Sequence, residues 1–128
     1  MLARSLRVFV PLLLAACTAM PTTSAPGGEA RLHVVLFWIK PDAPAAERAA
    51  FPTAIVEKAK DVRGVDVVWV GTPAGTARPI VDNSYDVMAV MRFRDAASLA
   101  AWDTEPLHQQ LIARFGPHIA KVLVYDAK

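Results

Sequence analysis

The stretch "RLHVVLFWI", residues 31–39, decides the fold, because its apolar side chains alternate onto both faces of a β-strand. One face carries His33, Val35, Phe37 and Ile39, and the other carries Leu32, Val34, Leu36 and Trp38. A sheet with helices on one face and water on the other normally alternates apolar and polar residues. This strand therefore predicts a sheet that is covered on both faces.

Three more strands and two helical regions follow this strand. The strands are predicted at residues 64–71, 84–93 and 120–127, which are rich in β-branched and aromatic residues. The first helical region, residues 43–60, contains Pro52, and we expect a kink or a restart there because proline lacks the amide donor. The second begins at the capping residue Asp95 and is broken in two, with Pro106 opening its second part. The order is βαββαβ.

The second apolar face of the first strand needs a cover of its own. Two helices can cover only one side of a four-stranded sheet. Another copy of the same sheet is the economical cover, and it predicts a symmetric homodimer with a sheet-on-sheet interior. The alternative is that the first strand is simply central, with Trp38 under a loop.

The region before the first strand has the layout of a secretory signal. Arg4 and Arg7 precede a short apolar run, and small residues lead to Cys17, the one cysteine of the chain. The segment "LAAC" resembles the bacterial lipobox, which implies cleavage before Cys17 and lipid attachment to its sulfur. We expect a lipoprotein signal peptide at residues 1–16 and a flexible tether at residues 17–30. An ordinary signal peptide with a chance cysteine is the alternative.

A lipid on Cys17 would anchor the protein to a membrane, because the apolar run is too short to span one. Thr18 follows the cysteine where an aspartate would stand in many inner-membrane lipoproteins. The resemblance therefore implies the periplasmic face of the outer membrane.

Charge and histidine spacing exclude two classes of function. The chain has 14 Lys+Arg and 12 Asp+Glu, and removal of Arg4 and Arg7 leaves 12 of each. Without a Lys/Arg-rich run, we expect no nucleic-acid partner. The three histidines lack ligand spacing and a cysteine partner, so no metal site and no cofactor is predicted.

Three stretches resemble the stress-responsive dimeric α/β-barrel (Dabb) family: "HVVLFWIKPDAP" at 33–44, "SYDVMAVMRFRD" at 84–95 and "PLHQQLIARFGPHIAKVLVYD" at 106–126. The resemblance covers residues 31–128. It implies an α+β, ferredoxin-like βαββαβ fold with a four-stranded antiparallel sheet, helices on one face and a dimeric α/β barrel. Its best-defined member is a plant polyketide cyclase that works without a cofactor, using a histidine and a tyrosine.

The cyclase's polar residues are only partly present here. Its catalytic histidine falls on His108 and its first-strand histidine on His33. The tyrosine falls on Trp102 and a further pocket histidine on Val87. The resemblance therefore does not by itself imply the same ring closure.

The strands bring a carboxylate beside one of these histidines. In the sheet order 4-1-3-2, Asp126 of the last strand lies opposite His33 of the first, and we predict a hydrogen bond that orients His33 as a general base. The alternative is a structural histidine at the strand edge that only keeps the first and last strands in register. His108 lies in the first turn of its helix, where the dipole favours the neutral ring. The predicted ligand-binding residues are Val35, Phe37, Tyr85, Met91, Trp102 and Leu111.

Two functions remain open at this point, beside a third, purely scaffolding role. One is a lipid-anchored dimeric protein that binds a small apolar or aromatic ligand between sheet and helices. The other is a cofactor-independent enzyme, similar to polyketide cyclases or small monooxygenases, that uses His108 and His33. Trp102 favours binding, since an indole has no acidic phenol.

Overall fold

The computed structural model describes residues 28–128; Cys17, the predicted signal peptide and most of the predicted tether lie outside this range. The strands are β1 (Arg31–Ile39), β2 (Val65–Gly71), β3 (Val87–Phe93) and β4 (Ile119–Ala127). The helices are α1 (Ala45–Ala59), α2 (Ala96–Trp102) and α3 (Pro106–Phe115), followed by a 3₁₀ turn at Gly116–His118. The order along the chain is the predicted βαββαβ.

The four strands form one antiparallel sheet in the order β2-β3-β1-β4. This is the predicted order and the ferredoxin-like arrangement. β1 is hydrogen-bonded on one side to β3 and on the other to β4. The strand with apolar side chains on both faces is therefore central in the sheet. β4 is left as an edge strand next to β1.

Local signals set the helix boundaries. Asp95 caps α2 by accepting a hydrogen bond from the Ser98 amide at 2.8 Å, and Pro106 stands in the first turn of α3. α1 continues through Pro52 as one helix, so the restart considered for this position does not occur. Phe51 and Ile55, on either side of Pro52, are buried, and their packing holds this part of the helix against the core.

The core between the sheet and the helices has two parts. The first joins α1 and α3 to the middle of the sheet and contains Ile39, Phe51, Ile55, Val87, Ala89, Leu111 and Phe115. The second lies under α2 and contains Ala59, Val62, Met91, Phe93 and Trp102. The two parts flank the space in which the predicted site residues lie.

The other face of the sheet is apolar and uncovered in a single copy. Leu32, Val67, Trp69 and Tyr125 are exposed on it. Trp38 does meet a loop, since its indole N–H donates to the Ser84 hydroxyl at 3.2 Å. That contact covers one side chain and leaves the rest of the face open. Within residues 28–128, no helix is long and apolar enough to cross a bilayer.

Candidate functional site

A cavity of about 450 Å³ lies between the inner face of the sheet and helices α1, α2 and α3. Five of the six predicted ligand-binding residues line it: Val35, Phe37, Met91, Trp102 and Leu111. Both predicted site histidines, His33 and His108, line it as well. Strand parity and helix spacing therefore place these side chains around a single space.

Tyr85 is the predicted ligand-binding residue that does not line the cavity. It shares the parity of Val87 and Ala89, which face inward, but β3 begins only at Val87. Tyr85 therefore belongs to the preceding loop, where alternation along the strand no longer decides the direction of a side chain. The lining of this cavity therefore does not support its assignment to the ligand site, which stays a prediction.

Strand register gives the cavity two different ends. His33 pairs with Asp126 at one end of the β1–β4 ladder, and Ile39 pairs with Ile119 at the other. The part of helix α3 that lines the cavity, from His108 to Phe115, runs in the same direction as β1. The two histidines therefore lie at the end where β1 and α3 begin, and the lining toward the end where they finish is apolar apart from Lys121.

His33 is held by Asp126 across the two strands. The ring Nδ1 lies 2.7 Å from the Asp126 Oδ1, and the carboxylate can only accept, so Nδ1 carries the proton. The hydrogen bond predicted from the strand order is therefore present. In the neutral ring this arrangement leaves the lone pair on Nε2. A general-base role for His33 stays a prediction.

His108 is fixed by a partner that the sequence did not indicate. Its Nδ1 donates to the backbone carbonyl of Trp102 at 2.9 Å, and its ring stacks on the Trp102 indole with centroids 4.3 Å apart. A carbonyl oxygen accepts only, so the Nε2 lone pair of the neutral His108 ring is again the free one. A backbone acceptor has no signature in the sequence, which is why this contact was missed.

Burial lowers the pKa of His108 below its ordinary value. The hydrogen bond to the Trp102 carbonyl and the charge of nearby Asp103 oppose this shift, and a positive charge on His33 adds to it. His108 is therefore held in its neutral form near pH 7, in which Nε2 accepts a hydrogen bond.

Three nitrogen atoms remain available to a ligand. Within residues 28–128, the Nε2 of His33, the Nε2 of His108 and the indole Nε1 of Trp102 have no hydrogen-bond partner. Every buried side-chain nitrogen and oxygen in this part of the chain has a hydrogen-bond partner. These three atoms have none, so they are not fully buried. All three rings line the cavity, so these nitrogens are the candidate hydrogen-bonding atoms for a ligand.

The described part of the chain contains no group of three or more His, Cys, Asp and Glu side chains placed to hold a metal ion.

A sequence model of the stress-responsive A/B barrel domain matches residues 32–128. A search of curated proteins finds no match. Solved structures do match, at low identity. A dimeric ferredoxin-like protein of unknown function from Thermobifida fusca YX is 17% identical over 78% of this chain and 91% of its own, with a TM-score of 0.66.

Two further structures extend the comparison. A Dabb family protein with a ferredoxin-like fold from Mesorhizobium loti MAFF303099 is 23% identical over 77% of this chain and 95% of its own, with a TM-score of 0.62. The hydroxynitrile lyase of Passiflora edulis is 15% identical over 77% of this chain and 92% of its own, with a TM-score of 0.67. At such identities the likeness shows the fold alone.

The environment of His108 predicts its titration. We expect NMR titration of the ring Cε1–H to give a pKa below the ordinary value of about 6.5. Leu111→Ala, which opens the cavity to water, should move this pKa back toward the ordinary value, whereas Gln110→Ala on the exposed side of α3 should not.

The same lowered pKa couples stability to pH. The unfolded chain binds the proton more readily than folded His108, so the free energy of unfolding should fall as pH drops from about 6.5 through the folded pKa. His108→Gln should flatten this part of the profile. An unshifted His108 pKa in the intact protein would contradict the burial that the structure gives this ring.

Proposed function

The chain belongs to the stress-responsive A/B barrel domain family, and we propose from this premise that it binds a small, mainly apolar ligand in the cavity. The ligand's polar group would lie against His33 and His108, and its apolar part against Val35, Phe37 and Leu111. Binding here would need no cofactor, because the chain's own side chains supply both kinds of contact.

The distribution of polarity around the cavity carries this proposal. Most of the lining is aliphatic or aromatic, while the rings of His33, His108 and Trp102 lie at one end, the polar end. Ligand sites in proteins combine an apolar wall with a few fixed polar groups in this way. A space that served packing alone would be filled by side chains, since protein interiors are close-packed.

Binding is tested by filling the cavity. The neutral aromatic probe 1-aminoanthracene should bind the protein with a rise in fluorescence. Leu111→Trp should weaken that binding by about tenfold or more, because the indole occupies the ligand's space. Ile80→Trp, on an exposed loop outside the cavity, is the matched control and should bind like the parent. Equal binding by both variants would count against the cavity as the site.

A cofactor-independent enzyme is the second candidate. It is favoured by the two hydrogen bonds that hold both Nδ1 protons and leave both Nε2 atoms free, since Nε2 of a neutral ring can take a proton from a bound substrate. Under this alternative, His108→Ala would abolish turnover while the affinity for substrate survives. Under the binding proposal, the same variant would change affinity only.

We further propose that two copies associate through the apolar face of the sheet. The Thermobifida fusca relative is dimeric, and the face carrying Leu32, Val67, Trp69 and Tyr125 is open in a single copy. A second sheet would cover these side chains and complete the dimeric α/β barrel. The family resemblance and the two-faced pattern of β1 both support this assembly.

A charge on this face tests the dimer. Leu36→Glu would place a carboxylate against the partner sheet, where burial without a partner is strongly unfavourable, and should give monomers in sedimentation velocity at micromolar concentration. Thr53→Glu, on the exposed side of α1, should sediment like the parent. A monomeric parent protein would overturn the assembly.

For the segment outside the described residues, we propose a lipid anchor on Cys17 that holds the domain at the periplasmic face of the outer membrane. The lipobox-like "LAAC" and the polar stretch after it support this. Cys17→Ser should abolish incorporation of labelled palmitate and release the protein from membranes, whereas Ser24→Cys in that background should not restore labelling. A parent chain that never takes up label would refute the anchor.

A further inference from the structure

The cavity is long in one direction. On β1 it is lined from His33 to Phe37, which spans about 13 Å at the usual strand rise. On α3 it is lined from His108 to Phe115, about 10 Å along the helix axis. Its two histidines and Asp103 lie at one extremity of this length, and Lys121 lies toward the other. A ligand that fills it therefore has a polar group at one end and an extended apolar body.

One long side of the cavity is open and apolar. β4 pairs only with β1, and α3 packs mainly on α1, so the inner face of β4 is only partly covered. Three apolar side chains at this side line the cavity and remain about half exposed: Ile112 at 48%, Val122 at 49% and Val124 at 45%. We call this strip between α3 and β4 the seam. An alkyl chain lying along the seam would cover all three.

The charges at the polar end disfavour an anionic head group. The two Nε2 atoms are acceptors while the rings are neutral, and the carboxylates of Asp103 and Asp126 stand beside His108 and His33. Lys121 lines the cavity, but its ammonium group lies over the ring of Trp38, at 4.2 Å, and the Trp38 side chain belongs to the other face of the sheet. A carboxylate head would therefore meet lone pairs and negative charge.

A hydroxyl group matches the same nitrogens. Its hydrogen can be donated to the Nε2 of His33 or His108, and its oxygen can accept from the Trp102 indole N–H. It carries no charge to desolvate inside the cavity, whose wall is otherwise apolar. No rearrangement of the Nδ1 hydrogen bonds is needed.

The seam can hold an alkyl chain, and the polar end requires a group that donates a hydrogen bond. We infer that the ligand is an uncharged alkyl amphiphile with a terminal hydroxyl group. The hydroxyl binds between Trp102 and the two histidines, and the unbranched chain lies along Ile112, Val122 and Val124. This inference rests on the proposed binding function and names the chemical class of its ligand.

Head-group preference is the first test. The full chain carrying Cys17→Ser is used in detergent-free buffer, so that neither detergent nor an acyl anchor competes for the cavity. Displacement of 1-aminoanthracene at pH 8 should place 1-decanol at least about tenfold ahead of 1-methoxydecane, which can accept but not donate. Decanoate should also be weaker. Equal or tighter binding of the ether, of decanoate or of decylammonium overturns the hydroxyl assignment.

Chain length tests the seam. From 1-hexanol to 1-decanol the affinity should rise by up to roughly fourfold per methylene, the value for full burial. In the double variant Val122→Thr/Val124→Thr, which keeps side-chain shape, this increment should shrink; Ile80→Thr, far from the cavity, should leave it unchanged. An unchanged increment in the double variant overturns the seam as the path of the chain.

The proposed binding function and the assignment of an alcohol as the ligand would be contradicted by different results. If 1-aminoanthracene binds and Leu111→Trp weakens it, but no alcohol displaces it, the cavity is a ligand site for another class of molecule and this inference is wrong. If the probe itself does not bind, the proposed function fails as well.

Discussion

The central position of β1 is the constraint on which the rest of the structure depends. A strand that is apolar on both faces has to be covered on both, and hydrogen bonding to β3 and β4 keeps it away from either edge. Its end is tied down further, because the Ile39 amide donates to the Asp86 carboxylate at 2.6 Å and the Asp86 amide donates to the Phe37 carbonyl at 2.8 Å. Every group of the candidate site is placed relative to this strand.

The same topology explains why a cavity exists beside a well-packed core. α1 lies over β2 and β3, and α2 lies over β1 and β3, so the buried clusters form under those helices. β4, the last strand along the chain, lies at the sheet edge beside β1, and its inner face is only partly covered. Val122 and Val124 therefore line the cavity but remain about half exposed. The open side of the cavity follows from strand order rather than from any single residue.

Sequence reasoning succeeded where a rule of geometry connects distant residues. Parity and strand order place Asp126 opposite His33, and the 2.7 Å hydrogen bond is found there. The same parity does not extend to Tyr85, because it holds only within a strand and β3 starts two residues later. The contact of His108 with the Trp102 carbonyl could not be predicted, since any residue offers a carbonyl. Parity also assigns a side chain to a face without saying whether a helix covers it, so the seam was not foreseen.

Trp102 decides how the polar end can act. Its ring packs against Phe93 and stacks on His108, and Phe93 in turn meets the edge of His33, so one row of rings joins the two histidines. Where the resemblance to the plant cyclase places a phenol, this chain has an indole, whose N–H donates a hydrogen bond but does not titrate near neutral pH. An indole can orient a ligand oxygen without exchanging a proton with it. Any proton transfer would have to run through the Nε2 atoms of His33 and His108, because both Nδ1 protons are donated to protein acceptors. The residue change at this one position therefore favours a cavity that recognises its ligand over one that transforms it.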